Sequence, residues 1–432
     1  MSFFFILFNL NIKEVQAVDY YVAKTGSDSN MGTEGAPFLT IQKGMSVALN
    51  GGDTVFVKEG TYPEYVRFMA SGTEGNPITL RNFGSDAVTI DAENFRDYCI
   101  STEGKSSLLI DGIRIINSDN YNLPILGGEN ITIKNLISIL PISDVFATGV
   151  NYGILVNGGA RNITLQNVSS TGGLYPIYVG ALVDGMDIIG GRYSYGSVDG
   201  IVLCGGWSAL TPSDNANFPR NIIVDGSEVD HNLRQGIGTG SVDSVVLRNF
   251  WTHHNGASGV QIERFGSNIV IEDFLAENNS LTYTYETGVW VHNSRDVIVR
   301  RGIMRNNETG FRVSESQNVK ASNLLIYSND TYPTPDVANN DSGVSFVNFP
   351  KSFDAYKAYD ASVELYNSVI YDNANSNSQR SSIDLENDGA YTLKNNLIVN
   401  DKSNVDIYLS GPSLLAANKN IYSNIRALKV LY

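Results

Sequence analysis

Two consecutive segments of this chain carry nearly the same pattern. The first, ETGVWVHNSRDVIVRRGIMRNN, spans residues 286–307, and the second, ETGFRVSESQNVKASNLLIYSN, spans residues 308–329. In both segments apolar residues alternate with other residues, and Gly or Asn interrupts the alternation. Alternation with a period of two predicts short β-strands with one buried face. Because each copy can bury that face only against its neighbours, the repeat predicts a stacked architecture.

The first strand of this repeat recurs along most of the chain. Most neighbouring copies are 22 to 34 residues apart, and they begin at Ile131, Ile163, Ile222, Val245, Ile269, Val297, Val363 and Tyr391. Leucine-rich repeats compete with this interpretation, but their leucine pattern and a helical periodicity are absent. Three strands per repeat predict an all-β fold, a right-handed parallel β-helix. We expect residues 18–432 to form one such domain, and we expect it to be the catalytic one.

Asparagine marks the corners of the predicted coils. Asn255, Asn279, Asn307 and Asn329 end the second apolar segment of four successive repeats. Asn tolerates a left-handed backbone, and its amide can form a hydrogen bond with the equivalent side chain of the next coil. We therefore predict an asparagine ladder with a structural role.

The N-terminal residues predict export. Residues 1–17 contain the apolar run FFFILFNL followed by VQA, which suits signal-peptidase cleavage near Ala17. The run is too short to span a bilayer, and a basic segment before it is missing. No C-terminal cap is evident in the sequence, so the natural protein could continue beyond residue 432. We expect a secreted or cell-surface protein without a membrane span.

Composition narrows the classes of partner. Forty-five acidic and 30 basic residues give a formal charge of −15, which repels nucleic acid and anionic membranes. Cys99 and Cys204 are too few for a disulfide framework or a four-cysteine zinc site, and they are expected to be buried thiols. We expect a monomer.

The start of the predicted domain resembles a known group of proteins. The segment DYYVAKTGSDSN begins at Asp19, and an amphipathic helix at about Thr40–Leu49 is expected to cap the open end of the coils. This opening is similar to that of many β-helix proteins that act on carbohydrates, including polysaccharide lyases, uronan epimerases and glycosidases. Within that group the chain looks most like the disaggregatases of methanogenic archaea. That resemblance implies degradation of a chondroitin-like matrix, methanochondroitin, and dispersal of cell aggregates; it transfers no catalytic residue.

The third strand of each repeat carries the candidate site. Its inward positions are apolar throughout, whereas its outward positions include Gln261/Glu263, Trp290/His292 and Arg312/Ser314 in successive repeats. Equivalent residues of stacked parallel strands lie about 4.8 Å apart. We therefore expect these six side chains to form one exterior patch.

Acids and histidines flank this patch. Glu286, Glu308 and Asp341 each precede such a strand, and all four histidines lie between His231 and His292. Stacked like charges need a proton, a cation or a basic neighbour. The catalytic candidates are Glu263, Glu286, His292, Glu308 and Arg312. The candidates for substrate binding are Gln261, Trp290, Arg234, His231, His254, Trp207 and Tyr285.

Two chemistries fit these residues. Hydrolysis needs two carboxyl groups about 5 to 9.5 Å apart, which Glu263 with Glu286 or Glu308 could supply, and it is the favoured reaction. Elimination on a uronic acid needs a base, for which His292 is the candidate, and a neutralising cation, for which Arg312 is the candidate. We expect an extracellular acidic polysaccharide as the substrate in either case.

Two further alternatives stay open at this stage. A non-catalytic adhesin or surface-layer protein would also suit an acidic exported solenoid, although the concentration of His, Glu, Arg and Trp disfavours it. Oxygen-rich ladders such as the acids before the strands suit calcium. The sequence does not decide whether calcium is required.

Overall fold

The computed structural model describes residues 16–142, 151–205, 217–280, 287–329, 342–348, 357–373, 381–399, 405–410, 414–422 and 429–431. Within them the chain forms successive coils whose strands pair in parallel with the equivalent strands of neighbouring coils. Residues 1–15 of the predicted signal segment lie outside the described residues, as do Trp207, Tyr285, Glu286 and Asp341.

Most coils contribute one strand to each of three sheets. The first sheet consists of Asp19–Val22, Thr54–Val57, Ile78–Asn82, Leu108–Asp111, Glu129–Lys134, Arg161–Gln166, Asp184–Ile189, Arg220–Asp225, Asp243–Arg248, Gln317–Ser322, Ser362–Tyr366, Ala390–Lys394 and Leu414–Asn418. The second sheet consists of Gly60–Tyr62, Val88–Asp91, Ile113–Ile116, Ile137–Ile139, Ser169–Thr171, Arg192–Ser194, Glu228–Asp230, Trp251–His253, Leu325–Tyr327, Val369–Tyr371, Leu397–Val399 and Ile421–Tyr422. Two long strands, Ser267–Glu277 and Arg295–Arg305, run through both sheets.

The third sheet closes each coil. Along the chain, its strand lies between the second-sheet strand of one coil and the first-sheet strand of the next. Its strands are Tyr121–Leu126, Tyr152–Asn157, Tyr175–Val179, Ile201–Cys204, Ile237–Gly240, Val260–Glu263, Thr287–His292, Thr309–Ser314, Val344–Val347, Ser381–Glu386, Val405–Ser410 and Lys429–Leu431. A short pair, Val66–Arg67 with Ile100–Ser101, precedes it.

Register follows the repeat predicted from the sequence. Ile131 pairs with Ile163 in one pair of coils, and Ile222 pairs with Val245 in another. These side chains point inward and have at most 1% of their surface exposed. The inward residues of all three sheets merge into one apolar core that runs along the coils. The all-β parallel β-helix is therefore confirmed.

Single left-handed residues turn the chain from the first sheet to the second. Asn135, Asn167 and Asn249 have φ angles of 49°, 57° and 53°. Asn adopts this conformation more readily than other residues with a side chain. The left-handed role predicted for asparagine is thus confirmed at this corner. At the ladder, the residue before each asparagine is left-handed instead, as at Asn278 and Asn306.

The asparagine ladder stands between the second and third sheets. Asn279 Nδ2 donates to Asn307 Oδ1 at 3.1 Å, and Asn307 Nδ2 donates to Asn329 Oδ1 at 3.1 Å. The ladder extends past the four predicted members to Asn232 and Asn373, and all six are nearly or fully buried. Its amides satisfy backbone groups that the turn would otherwise leave unpaired.

A short helix covers the N-terminal end of the core. It spans Ile41–Val47, and its N-cap residue Thr40 accepts a hydrogen bond from the Lys43 backbone N–H at 3.2 Å. Glu64, from the first coil, accepts from the Ile41 and Gln42 N–H groups at 2.9 Å each. The predicted capping helix is present, and its free N–H groups are satisfied from within the solenoid.

Both cysteines are buried free thiols, as predicted. Burial raises the pKa of the Cys99 thiol to about 12, and its Sγ contacts the Ile116 carbonyl at 3.1 Å. Cys99 is therefore an unreactive core residue.

Removing one member of the ladder tests its contribution. We expect Asn307→Ala to lower the free energy of unfolding by roughly 3–5 kcal/mol, because the buried Asn279 amide and two backbone carbonyls lose partners. Asn120→Ala, which loses only an exposed bond to Asp97, is the control and should cost under about 1 kcal/mol. Chemical denaturation measures both variants, and equal losses would contradict a special role for the ladder.

Candidate functional site

The outer face of the third sheet brings several predicted residues together. Gln261 pairs with Trp290, and Trp290 pairs with Arg312, in strands whose inward residues are fully buried. The alignment that assigned inward and outward positions is therefore right. An error of one residue would have turned these side chains into the core.

Trp290 is the centre of this face. The Arg312 guanidinium lies over the Trp290 ring at 5.0 Å, and Trp290 Nε1 donates to Ser314 Oγ at 2.8 Å. The His292 ring stacks on the same indole, with ring centroids 5.3 Å apart. These contacts fix the positions of His292 and Arg312 relative to one another.

A buried carboxylate lies beside His292. Glu315 Oε2 lies 3.3 Å from His292 Nε2, and the Glu315 side chain is 1% exposed whereas that of His292 is 21% exposed. A carboxylate beside Nε2 favours the tautomer that carries its proton there, and the other ring nitrogen, Nδ1, is buried. Sequence analysis missed Glu315, because it follows the strand at a left-handed position with φ 45° and so breaks the alternation.

Glu263 and Gln261 occupy the coil before Trp290. Glu263 is partly exposed, and its carboxylate lies 3.9 Å from the Arg264 guanidinium. Gln261 contacts the Gln235 side chain and is only 5% exposed. The prediction that Gln261 contacts substrate directly is therefore not supported.

The proposed pairing of Glu263 with Glu308 is wrong. Thr309 pairs with Thr287 at the start of the strand, so Glu308 lies just before it, whereas Glu263 ends its strand. Six residues at about 3.3 Å each separate the two positions by roughly 20 Å along the strand direction, far more than a catalytic carboxyl pair allows. Glu308 is also 1% exposed, not an exterior side chain.

The remaining predicted residues lie at the opposite end of the third-sheet strands from His292. His231 and His254 have left-handed φ angles of 53° at the corner after the second sheet, and Arg234 follows one of them. Their corner and His292 are separated by at least the length of the strand Thr287–His292, roughly 17 Å. The four histidines therefore do not form one cluster.

The corner histidines belong to a network on the second sheet. Asp230 accepts from Arg192 Nε at 2.7 Å and contacts His231 Nδ1 at 2.5 Å, while the His231 ring stacks between Tyr195 and His254. Burial disfavours the charged form of Asp230, but the bonds from Arg192 and His231 outweigh it and hold the pKa of this carboxyl below its ordinary value. Burial and the neighbouring imidazoles lower the pKa of His254.

The network continues along one outward column of the second sheet. Asp230, His253, Glu277 and Arg305 follow one another in register. Arg305 Nε donates to Glu277 Oε2 at 2.6 Å, and Trp251 Nε1 donates to Glu277 Oε1 at 3.1 Å. Sequence analysis assigned no role to this column, because its residues alternate with apolar ones like any half-buried strand.

A row of tyrosines leads to the third-sheet face from the N-terminal coils. Tyr65, Tyr98, Tyr121, Tyr152 and Tyr175 are partly exposed, and their neighbouring rings lie 5.2 to 6.0 Å apart. Burial, with the charge of Asp199, raises the pKa of Tyr175, and Arg234 opposes the rise. The row, which we call the tyrosine row, spans roughly 19 Å. Its spacing of 23 to 33 residues hides it in the sequence.

Among the described residues no helix is long and apolar enough to cross a membrane.

Losing the Arg192 guanidinium tests the second-sheet network. Asp230 is fully buried, so Arg192→Ala leaves a buried carboxylate with fewer partners and should lower the free energy of unfolding by about 1–3 kcal/mol. The control is Arg301→Ala, which removes the contacts of a 44% exposed guanidinium with Asp273 and Glu272 and should leave the melting temperature nearly unchanged. A larger loss of stability in Arg301→Ala than in Arg192→Ala would mean that exposed ion pairs, and not the buried Asp230 network, stabilise this surface.

Comparisons with known proteins agree with the coils. The model of the Pel9A-like right-handed β-helix region matches residues 20–208, and a second right-handed β-helix region matches residues 210–350. The uncharacterized protein YwoF of Bacillus subtilis (strain 168) is 35% identical over 150 residues, which are 34% of this chain and 28% of that protein. Pectate lyase PEL9 of Emericella nidulans is 37% identical over 81 residues, 18% of this chain and 20% of the lyase. The matches thus span less than a third of either relative.

Solved structures share the architecture. The A-module of mannuronan C-5 epimerase AlgE6 from Azotobacter vinelandii superposes with a TM-score of 0.51 at 17% identity, over 87% of this chain and 91% of that one. The GH136 lacto-N-biosidase from Eubacterium ramulus has a TM-score of 0.51 at 14% identity, over 94% of this chain and 68% of its own. Identities this low show a common fold alone. Together with the parallel coils, the matches show a right-handed parallel β-helix, whose residues 20–208 are similar to the Pel9A-like β-helix region.

Proposed function

We propose that this protein is an extracellular enzyme that binds an acidic polysaccharide along the outer face of the third sheet and cleaves it by β-elimination. The observation that carries the proposal is His292, which lies 3.3 Å from the buried Glu315 carboxylate and stacks on Trp290 beside the Arg312 guanidinium. A base and a cation in fixed relation are what elimination on a uronic acid needs.

The steps follow from these groups. His292 removes the proton from the sugar carbon that bears the carboxylate, and Arg312 offsets the negative charge that develops on that carboxylate. The electron pair of the broken C–H bond forms a double bond in the ring as the neighbouring glycosidic C–O bond breaks. The departing oxygen takes a proton from water. Glu315 keeps the imidazole in its basic tautomer during the first step.

Hydrolysis becomes the alternative instead of the favoured reaction. It requires a second carboxyl group near Glu263, and Glu308 is too distant to be that group. Part of the pectate lyase PEL9 sequence is related to this chain, which supports elimination over hydrolysis.

The substrate that we propose is a uronate-containing, chondroitin-like matrix polysaccharide. The similarity to disaggregatases supports this choice and, with it, export of the protein and dispersal of cell aggregates as the biological outcome. The net charge of −15 would repel an acidic chain. Arg234 and Arg312 supply local positive charge at the two ends of the third-sheet strands. The sequence leaves calcium dependence open, and activity assays with and without chelator would decide it.

Activity assays on His292→Ala test the reaction. The variant should lose roughly 10²–10⁴-fold in kcat/KM, because a general base contributes about that much. Product formation is followed in parallel as new reducing ends and as ultraviolet absorbance of the unsaturated uronate. Glu315→Gln should lose less, since it changes the orientation of His292 rather than the base itself.

The control for both variants is Lys320→Ala, an exposed change on the outer face of the first sheet. It should retain wild-type activity. New reducing ends without a rise in absorbance would show that the reaction is hydrolysis and not elimination. Full activity of folded His292→Ala would show that the third-sheet face is not the catalytic site. A wild-type protein without activity on uronate polysaccharides would contradict the proposal that the protein is an enzyme of this kind.

The tyrosine row predicts a dependence on substrate length. Tyr152 lies inside the row, between Tyr121 and Tyr175, so Tyr152→Ala should raise KM for long chains by about 3- to 10-fold, the effect of one aromatic contact of roughly 0.5–1.5 kcal/mol. It should leave kcat for short oligosaccharides unchanged. Comparing KM for polymer and for short oligosaccharides measures this, and equal changes in both would contradict binding along the row.

A further inference from the structure

The corner between the second and third sheets gathers donors that nothing in the proposed reaction uses. Asp230, His231 and His253 each offer one ligand atom, and these three atoms lie within 4.8 Å of one another. We propose that this corner is a binding site for a divalent transition-metal cation of the zinc class. The site is separate from the His292 face, and the proposal does not depend on the proposed function.

The types of donor select the class of metal. Imidazole nitrogens bind Zn²⁺, Cu²⁺ and Ni²⁺ in preference to Ca²⁺ and Mg²⁺, which take oxygen ligands. A carboxylate and two imidazoles are a known three-ligand set for Zn²⁺, at about 2.0–2.2 Å from the ion, with the fourth position open to water or another ligand. Atoms within 4.8 Å of one another can surround one ion at those distances after small side-chain rotations.

The surroundings of His253 are those of a metal ligand. His253 Nε2 lies 3.3 Å from Glu228 Oε1, and His253 Nδ1 lies 2.8 Å from His254 Nδ1. Metal-binding histidines usually have a carboxylate or carbonyl at the ring nitrogen that does not bind the ion. Glu228 offers that partner, and His254 brings a further imidazole nitrogen to the same place.

The fold holds the donors at different depths. Asp230 is fully buried and His253 nearly so, because both project from second-sheet strands that are paired in register. The His231 side chain is 41% exposed and stacks on Tyr195 and His254. An ion would therefore meet two rigid donors and enter from the solvent side beside His231.

Charge at the corner is compatible with a cation. Asp230 and Glu228 are both within ion-pair distance of Arg192, at 2.5 Å and 3.4 Å. The guanidinium competes for Asp230, but its side chain is 46% exposed and can move away from the carboxylate. Two carboxylates and one guanidinium leave a net negative charge for the ion to neutralise.

Zinc binding by tag-free protein tests the site. Wild-type protein, first treated with chelator, should retain one Zn²⁺ per chain after gel filtration and should melt at a higher temperature with Zn²⁺ than without it, because the ion binds the folded state. His231→Asn and His253→Gln should each weaken Zn²⁺ binding at least about tenfold by calorimetric titration. His231→Asn keeps a residue that favours the left-handed backbone there, so it should fold even if His253→Gln does not.

The matched control is His292→Asn, which removes the one histidine outside the corner and should leave Zn²⁺ binding unchanged. Wild-type protein that retains no Zn²⁺, or a folded His231→Asn that binds Zn²⁺ as tightly as wild type, would overturn the metal site. Loss of binding in His292→Asn alone would move the site to the third-sheet face and would equally overturn it. None of these outcomes depends on polysaccharide cleavage.

Discussion

Hydrogen bonding between parallel strands of neighbouring coils is the constraint on which the rest of this structure depends. Each strand pairs with its equivalent one repeat away, so every position in the repeat becomes a column along the solenoid. Because side chains alternate between the two faces of a strand, a slip of one residue would move a whole column from the core to the surface. The buried pairs Val260 with Val289 and Val289 with Phe311 fix this choice on the third sheet.

The corners keep that register by local means. A residue with a left-handed backbone turns the chain, and the buried asparagines tie each turn to the next one. His231 and His254 occupy left-handed positions in the same row of turns, so part of their role is conformational. Their ring nitrogens nevertheless converge on Asp230 and His253, which a turn does not require. One corner can thus serve the fold and a ligand together.

The outer faces of the second and third sheets differ because different side chains follow one another along their columns. On the third sheet, Trp290 separates Arg312 from the coil of Gln261 and supports His292 from one side, while buried Glu315 contacts it from the other. On the second sheet, carboxylates alternate with Arg305 and His253 and largely neutralise one another. The first arrangement places an imidazole and a guanidinium against one indole on the outer face of the sheet, whereas the second pairs most of its charges with one another.

The sequence by itself determined the coil architecture, the inward and outward positions, the asparagine ladder and the capping helix, because each depends on local alternation or on a single residue's backbone preference. Tertiary structure alone decided which distant positions meet. The proximity of Glu315 to His292 could not be predicted from the sequence, since Glu315 is itself a left-handed residue that interrupts the alternation. It also could not exclude Glu308 as a partner of Glu263, because the distance between strand ends is a property of the stacked coils and not of residue spacing.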